Sequence, residues 1–277
     1  MRHRTVLEYR HYRYLKLAVA IVVAAALGYA LYSSPVGRYG GTITGYVLGT
    51  VGALIILLLL WFGIQKRRYR TAGGNLQGWL SAHVYLGTTL IVVATLHSGF
   101  QVGWNVHTLA YVLMLAVIFS GFYGMYAYIR IPKLMTANLG DDSLDSLVLK
   151  IADIDREARR LAMSMPDSIN KAVSESIAGT RIGGGVLAQL RGRVRGCPTD
   201  RAVDLCKSSV RELKGDAAKT NTDLYAMLLR KQQLVARARL DVRYKAVLEF
   251  WLFFHVPLSI ALLGALTAHV IAVFFYW

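Results

Sequence analysis

The stretches "LQGWLSAHVYLGTTLIVVATLHSGF" (76–100) and "FWLFFHVPLSIALLGALTAHVIAVFF" (250–275) decide the fold. Neither contains Asp, Glu, Lys or Arg. Each carries two histidines fourteen positions apart, His83 with His97 and His255 with His269. On an α-helix of about 3.6 residues per turn, that spacing is nearly four whole turns. The two imidazoles of each stretch therefore share one face, about 21 Å apart along the axis. That distance fits inside a hydrocarbon layer about 30 Å thick, with one histidine towards each side.

Working outward, the same absence of charge recurs. No Asp, Glu, Lys or Arg occurs from Thr71 to Ile129, from Leu17 to Gly37, from Tyr39 to Gln65 or from Phe250 to Trp277. The 277 residues are 55% hydrophobic and 17% charged, which departs from a soluble domain. Lipid cannot satisfy an open backbone, so uncharged runs this long read as membrane-spanning helices; barrel strands would alternate, and these do not. The expected class is all-α: an integral membrane bundle of five transmembrane helices at roughly 17–36, 42–64, 77–100, 107–129 and 248–276, with a helical cytoplasmic insertion. The domains follow: a segment 1–16, helices one to four within 17–132, the insertion 133–246, and helix five at 247–277, which completes the bundle.

The net charge of +16 raises nucleic acid as a partner. Much of it flanks the apolar runs, where anionic lipid and membrane orientation account for it, so no nucleic-acid partner is expected. Arg2, Arg4, Arg10, Arg13 and Lys16 precede the first span, and Lys66, Arg67, Arg68 and Arg70 follow the second. The opposite loops hold Arg38 and the uncharged "QVGWNV" (101–106). The positive-inside rule puts the N-terminus and the insertion in the cytoplasm and the C-terminus outside, in what is expected to be a bacterial inner membrane. The basic start and apolar run also have the form of a signal peptide. The segment is expected to be retained, and its removal would leave the later spans oriented as before.

In the insertion, Leu144, Leu147, Val148, Ile151, Ala158, Leu161 and Met165 recur at helical spacing and predict an amphipathic helix from Ser143. A second is expected at 198–213, and a long helix from about Asp216 into the last span, bent at Pro257. The glycines from Gly179 to Gly185 mark a connection. "GGGVLA" (183–188) matches a dinucleotide-binding pattern, but no strand precedes it, so it is set aside. Cys197 and Cys206 are too isolated for an iron–sulfur or zinc site; Cys206, in register with Val203 and Val210, reads as a helix-core residue. No Cys-x-x-Cys-His is present, so covalent haem attachment is not expected.

Spans three and five are two crossings apart and run the same way, which pairs His83 with His255 and His97 with His269. Iron in haem takes two axial imidazoles, and that coordination suits electron transfer. Four histidines in this arrangement predict two stacked, non-covalent b-type haems, with His83, His255, His97 and His269 as both cofactor-binding and metal residues. The plainer reading makes them interhelical hydrogen-bonding groups, or the lining of a pore or proton path. His107 opens span four at the outer surface, as a propionate partner, proton relay, alternative ligand or interfacial residue without special role. Arg130 is a candidate partner for propionates of the inner haem, or a positive-inside flank alone. Gly87 and Gly264 leave room for a flat ring, while Gly41, Gly45 and Gly49 read as a helix-packing ridge. Trp79, Trp104, Trp251, Tyr276 and Trp277 fall where an interfacial aromatic belt would.

On these four histidines, the chain resembles the dihaem membrane cytochromes b: the cytochrome b of quinol–cytochrome c reductases, bacterial cytochrome b561-like proteins, and the transmembrane domain of ferric reductases and NADPH oxidases. The resemblance covers spans two to five and implies the same ligand roles here. It also implies departures. With the chain ending at Trp277, no flavin and nicotinamide domain is expected, and without a Pro-Glu-Trp-Tyr segment the quinol-oxidation site of the reductases is not supported. The expected function is transmembrane electron transfer as the cytochrome b subunit of a redox complex. Membrane lipid and c-type cytochrome, iron–sulfur or flavin subunits are the expected partners, with quinone a further candidate. The rivals are a self-contained quinol-oxidising or ferric-reducing enzyme, and a histidine-based proton or metal-ion transporter.

Overall fold

The computed structural model describes residues 6–32, 40–68, 76–192 and 196–275. Nine α-helices and one 3-10 turn, Val6–Glu8, make up the described secondary structure, with no strand among the described residues. The helices are α1 (Arg13–Leu31), α2 (Ile43–Arg68), α3 (Leu76–Ser98), α4 (Val106–Leu139), α5 (Leu144–Ala162), α6 (Asp167–Gly179), α7 (Val186–Arg191), α8 (Pro198–Ser209) and α9 (Asp216–Phe275). Five of them, α1 to α4 and α9, contain stretches long and apolar enough to cross a membrane. The chain is an all-α integral membrane protein. Arg2, Arg4, Arg38 and Arg70, on which the expected orientation partly rests, lie outside the described residues, as do Tyr276 and Trp277.

The chain divides into two compact units, Met1–Gly124 with Leu252–Trp277, and Met125–Trp251. In the first, α3 packs closely on α1 and α2. The core joins Ile55 and Ile56 of α2, Ala82, Leu86 and Leu90 of α3, Met114 and Ile118 of α4 and Leu262 of α9. The outward faces are apolar too, as at Leu27, Leu54, Phe253, Ile260 and Phe274. That is how a helix looks when its solvent is lipid. Hydroxyls along these helices are satisfied within their own turns: Thr88 donates to the Val84 carbonyl, Thr95 to Ile91 and Ser259 to His255. The turn Val6–Glu8 lies on α3, where Tyr85 donates to the Leu7 carbonyl and the Tyr9 ring fills the notch at Gly78.

In the second unit α5 begins where predicted. Ser143 accepts from the Ser146 amide and Ser146 returns the bond, a reciprocal cap. Leu147, Ile151, Ala158, Ala162 and Met165 are buried, whereas Val148 is exposed, one position off the inward stripe. Helix α6, not anticipated, repeats the same pattern with Ile169, Val173 and Ser176 buried. Helix α4 runs past residue 129 and through Pro132 to Leu139. One proline removes one hydrogen bond, and the extension is closed by Arg237, whose guanidinium donates to the Asn138 and Leu139 carbonyls. Helix α9 is assigned as one helix through Pro257. The segment "GGGVLA" ends in a short helix with no strand before it.

Cys206 is buried beside Val203 in the core of this unit, while Val210 is exposed. Burial pushes the Cys206 thiol up to about 11. The unfolded chain releases that proton near the ordinary value of about 8.5. Above that pH the folded form retains a proton the unfolded form has lost, so this thiol makes stability fall as pH rises towards about 11. At pH 8 we expect alkylation of Cys206 in the folded protein to be more than about 100-fold slower than in denaturant, read by mass spectrometry of its peptide. Equal rates would mean that the thiol is open to reagent. Cys197 is also buried, but the Arg239 guanidinium 3.4 Å from its sulfur and the amides of Thr199 and Asp200 outweigh burial and pull its thiol below the usual range.

Candidate functional site

The first unit brings the four membrane histidines together two by two. At one end, the His97 and His269 ring centres lie 6.0 Å apart at 86°. His97 rests against α2, its Nδ1 2.7 Å from the Gly45 carbonyl oxygen, so Nδ1 is the protonated nitrogen and donates. A Cβ on Gly49 would come within 2.6 Å of His97 Cε1, 2.9 Å of Nδ1 and 3.3 Å of Nε2. Gly45 and Gly49, which read from the sequence as a packing ridge, thus form the seat of this imidazole; the packing role falls to Gly52, against Val93 and Leu90.

His107 joins the same end. Helix α3 stops just after His97, where Gly99 and Phe100 adopt left-handed backbone. The chain turns back through Asn105, whose side chain accepts from the Thr108 amide and caps α4. That places His107 in the first turn, with its ring centre 4.4 Å from that of His269 at 85° and its Nδ1 in contact with His269 Nδ1. Nearby, Thr95 and Tyr111 share a hydroxyl hydrogen bond of 2.8 Å.

At the other end, His83 and His255 line one cavity of about 90 Å³. Its walls include Ile56, Leu60, Met114, Val117 and Leu262, with no acidic or basic residue beyond the two histidines. Gly87 and Gly121 also line it, and a Cβ on Gly121 would lie 3.6 Å from His255 Cε1. The Ser120 hydroxyl donates to the Val117 carbonyl and accepts from His255 Nδ1 at 2.7 Å. The Phe62 ring packs on His83 at 5.1 Å and stacks on Trp79 at 6.1 Å.

Three of the four histidines, His97, His255 and His269, therefore engage a named partner through Nδ1. A neutral imidazole protonated at Nδ1 carries its lone pair on Nε2, and this is how proteins orient histidines that ligate metals. Among the described residues no three His, Cys, Asp or Glu side chains converge on one point, so what this site offers is paired imidazoles. Arg130 is exposed and belongs to the second unit; Trp104 is fully exposed in the loop before α4. Sequence reasoning missed Ser120, Phe62 and the Gly45 carbonyl. Nothing in their local sequence marks them, because each acts on a residue of another helix.

Comparisons with protein-family models, with curated proteins and with solved structures return no match for this chain.

Proposed function

We propose that this membrane protein holds two non-covalent b-type haems, one on His83 with His255 and one on His97 with His269, and that it conducts electrons across the bilayer as the cytochrome b subunit of a redox complex. The observation that carries this reading is the pairing itself, two imidazole pairs about 21 Å apart on two helices. Each of three rings is turned by a hydrogen bond at Nδ1.

The residues fit the group. The His97 and His269 ring centres stand 6.0 Å apart, close enough for two imidazoles that would share one iron. The space beside His83 and His255 is walled mostly by apolar side chains and glycines, with Thr88 and Ser259 the hydroxyl residues among them, a lining that suits an apolar cofactor. Bound iron would supply reversible one-electron chemistry there. The chain's own part is to hold and orient. Gly45 and Ser120 fix ring rotation and strengthen the imidazoles as donors. Apolar walls keep water away, which raises the weight of every nearby dipole on the potential. Donor and acceptor are then quinone or partner proteins of c-type cytochrome, iron–sulfur or flavin type. Residues 133–246, on the cytoplasmic side in this reading, are the surface for such a partner.

Purified protein should give a reducible b-type spectrum and, by pyridine haemochrome assay, two haems per chain. Fewer than two after reconstitution overturns the proposal, and a colourless protein that accumulates protons or metal ions supports a transporter instead. A more local test uses the His97 seat. Gly49→Val forces the imidazole off the Gly45 carbonyl, because its Cβ would overlap the ring. We expect haem content to fall from two towards one, whereas Gly63→Ala, with nothing within 4 Å of its new Cβ, keeps both.

A further inference from the structure

We infer that His107 is a positioning residue for the haem proposed on His97 and His269, the outer one in this reading, acting through His269 and making no contact with iron itself. The inference rests on the dihaem reading and deepens it. If His269 ligates through Nε2, its single proton sits on Nδ1, and the group facing that proton is Nδ1 of His107. The contact then has one sense: His269 donates and His107 accepts, so the proton of His107 lies on its own Nε2. An acceptor at this place would give the His269 imidazole more anionic character, and a bound iron would then favour its ferric state at a lower potential.

The geometry supports this role over the alternatives. The His107 ring stands edge-on to His269 at 85°, with centres 4.4 Å apart, and its Nδ1 is taken up by the His269 contact. Ligation through Nδ1 in place of His269 would break that contact. Its backbone is fixed in the first turn of α4 by the Asn105 cap, so the acceptor is carried by a helix rather than by a loop. The partner of His97 is a backbone carbonyl and that of His255 a serine hydroxyl, which makes His107 the one axial-ligand partner whose side chain is itself an imidazole among those named.

The test compares His107→Phe, which keeps a ring but accepts nothing, with His107→Asn, which restores an acceptor. Both are read in the full chain by haem stoichiometry, a redox titration resolving both haems, and low-temperature electron paramagnetic resonance of the ferric forms. We expect His107→Phe to retain two haems and to raise the midpoint potential of one, namely the haem lost in His269→Ala. The low-spin signal of that haem should shift with it. His107→Asn should move both back towards the parent values. Unchanged potentials and signals in His107→Phe overturn the inference while leaving the dihaem reading intact. Loss of the outer haem from both variants also overturns it, because the ring would then be needed for more than accepting a proton. A parent protein without two haems overturns both.

Discussion

Alanine at His269 is expected, on the proposed dihaem reading, to remove one haem and leave the other with its spectrum and potential unchanged. The separation of the two sites makes this a clean result. His269 and His97 face each other with ring centres 6.0 Å apart, while His83 and His255 line a different cavity fourteen residues away along both helices. Without His269 only His97 would remain to hold a haem at this end, and one imidazole is not expected to retain it. The reduced-minus-oxidised amplitude should therefore fall by about half, with haem content going from two to one per chain. His97→Ala should remove the same haem, and His83→Ala or His255→Ala the other. If His269→Ala and His255→Ala emptied the same site, the pairing proposed for these helices would be wrong. Added imidazole offers a further check, because it can restore a ligand without restoring the helix contact.

The second large effect lies in the other unit. Lys231 is fully buried, with Nζ 2.6 Å from a carboxylate oxygen of Asp155 and 3.0 Å from both the carbonyl and the hydroxyl of Ser176. Its neighbours along α9, Leu224, Leu228, Val235 and Ala238, are buried at alternating steps of four and three, so a charge occupies the seam of an apolar stripe. Only full pairing makes that tolerable, since an ion stripped of water costs several kcal/mol. Lys231→Ala leaves the Asp155 carboxylate, 19% exposed, without its counter-charge. We expect a loss of about 3–5 kcal/mol, read as faster pulse proteolysis between residues 140 and 215 in the membrane-inserted protein. Lys231→Met with Asp155→Leu removes both charges and should recover most of the loss. If the single variant behaved like the parent, the ion pair would carry no weight in holding α5, α6 and α9 together.

Legibility of this protein follows the range of the forces involved. The membrane class was plain because lipid demands long uncharged helices, and that demand is written into composition one span at a time. The amphipathic α5 was equally plain, with its serine cap and inward stripe. Helix α6 carries the same signal in Ile169, Val173 and Ser176, but over thirteen residues the stripe is short and the sequence reading passes over it. The uncharged run ends at Ile129, yet α4 continues to Leu139, and the contact that closes it comes from Arg237, ninety-nine positions from Asn138. Gly49 was visible as part of a glycine ridge, but its neighbour proved to be an imidazole and not a helix backbone.

By itself the sequence determined that each of two apolar helices carries two histidines on one face at the same fourteen-residue spacing, because the 3.6-residue period fixes face and rise within a single helix. The tertiary structure decided what holds each ring. His97 turns to the Gly45 carbonyl 52 positions away, His255 to Ser120 at 135, and His269 to His107 at 162. Those bonds depend on how neighbouring helices rotate and approach. Packing across the bundle sets that, and no periodicity along one helix encodes it.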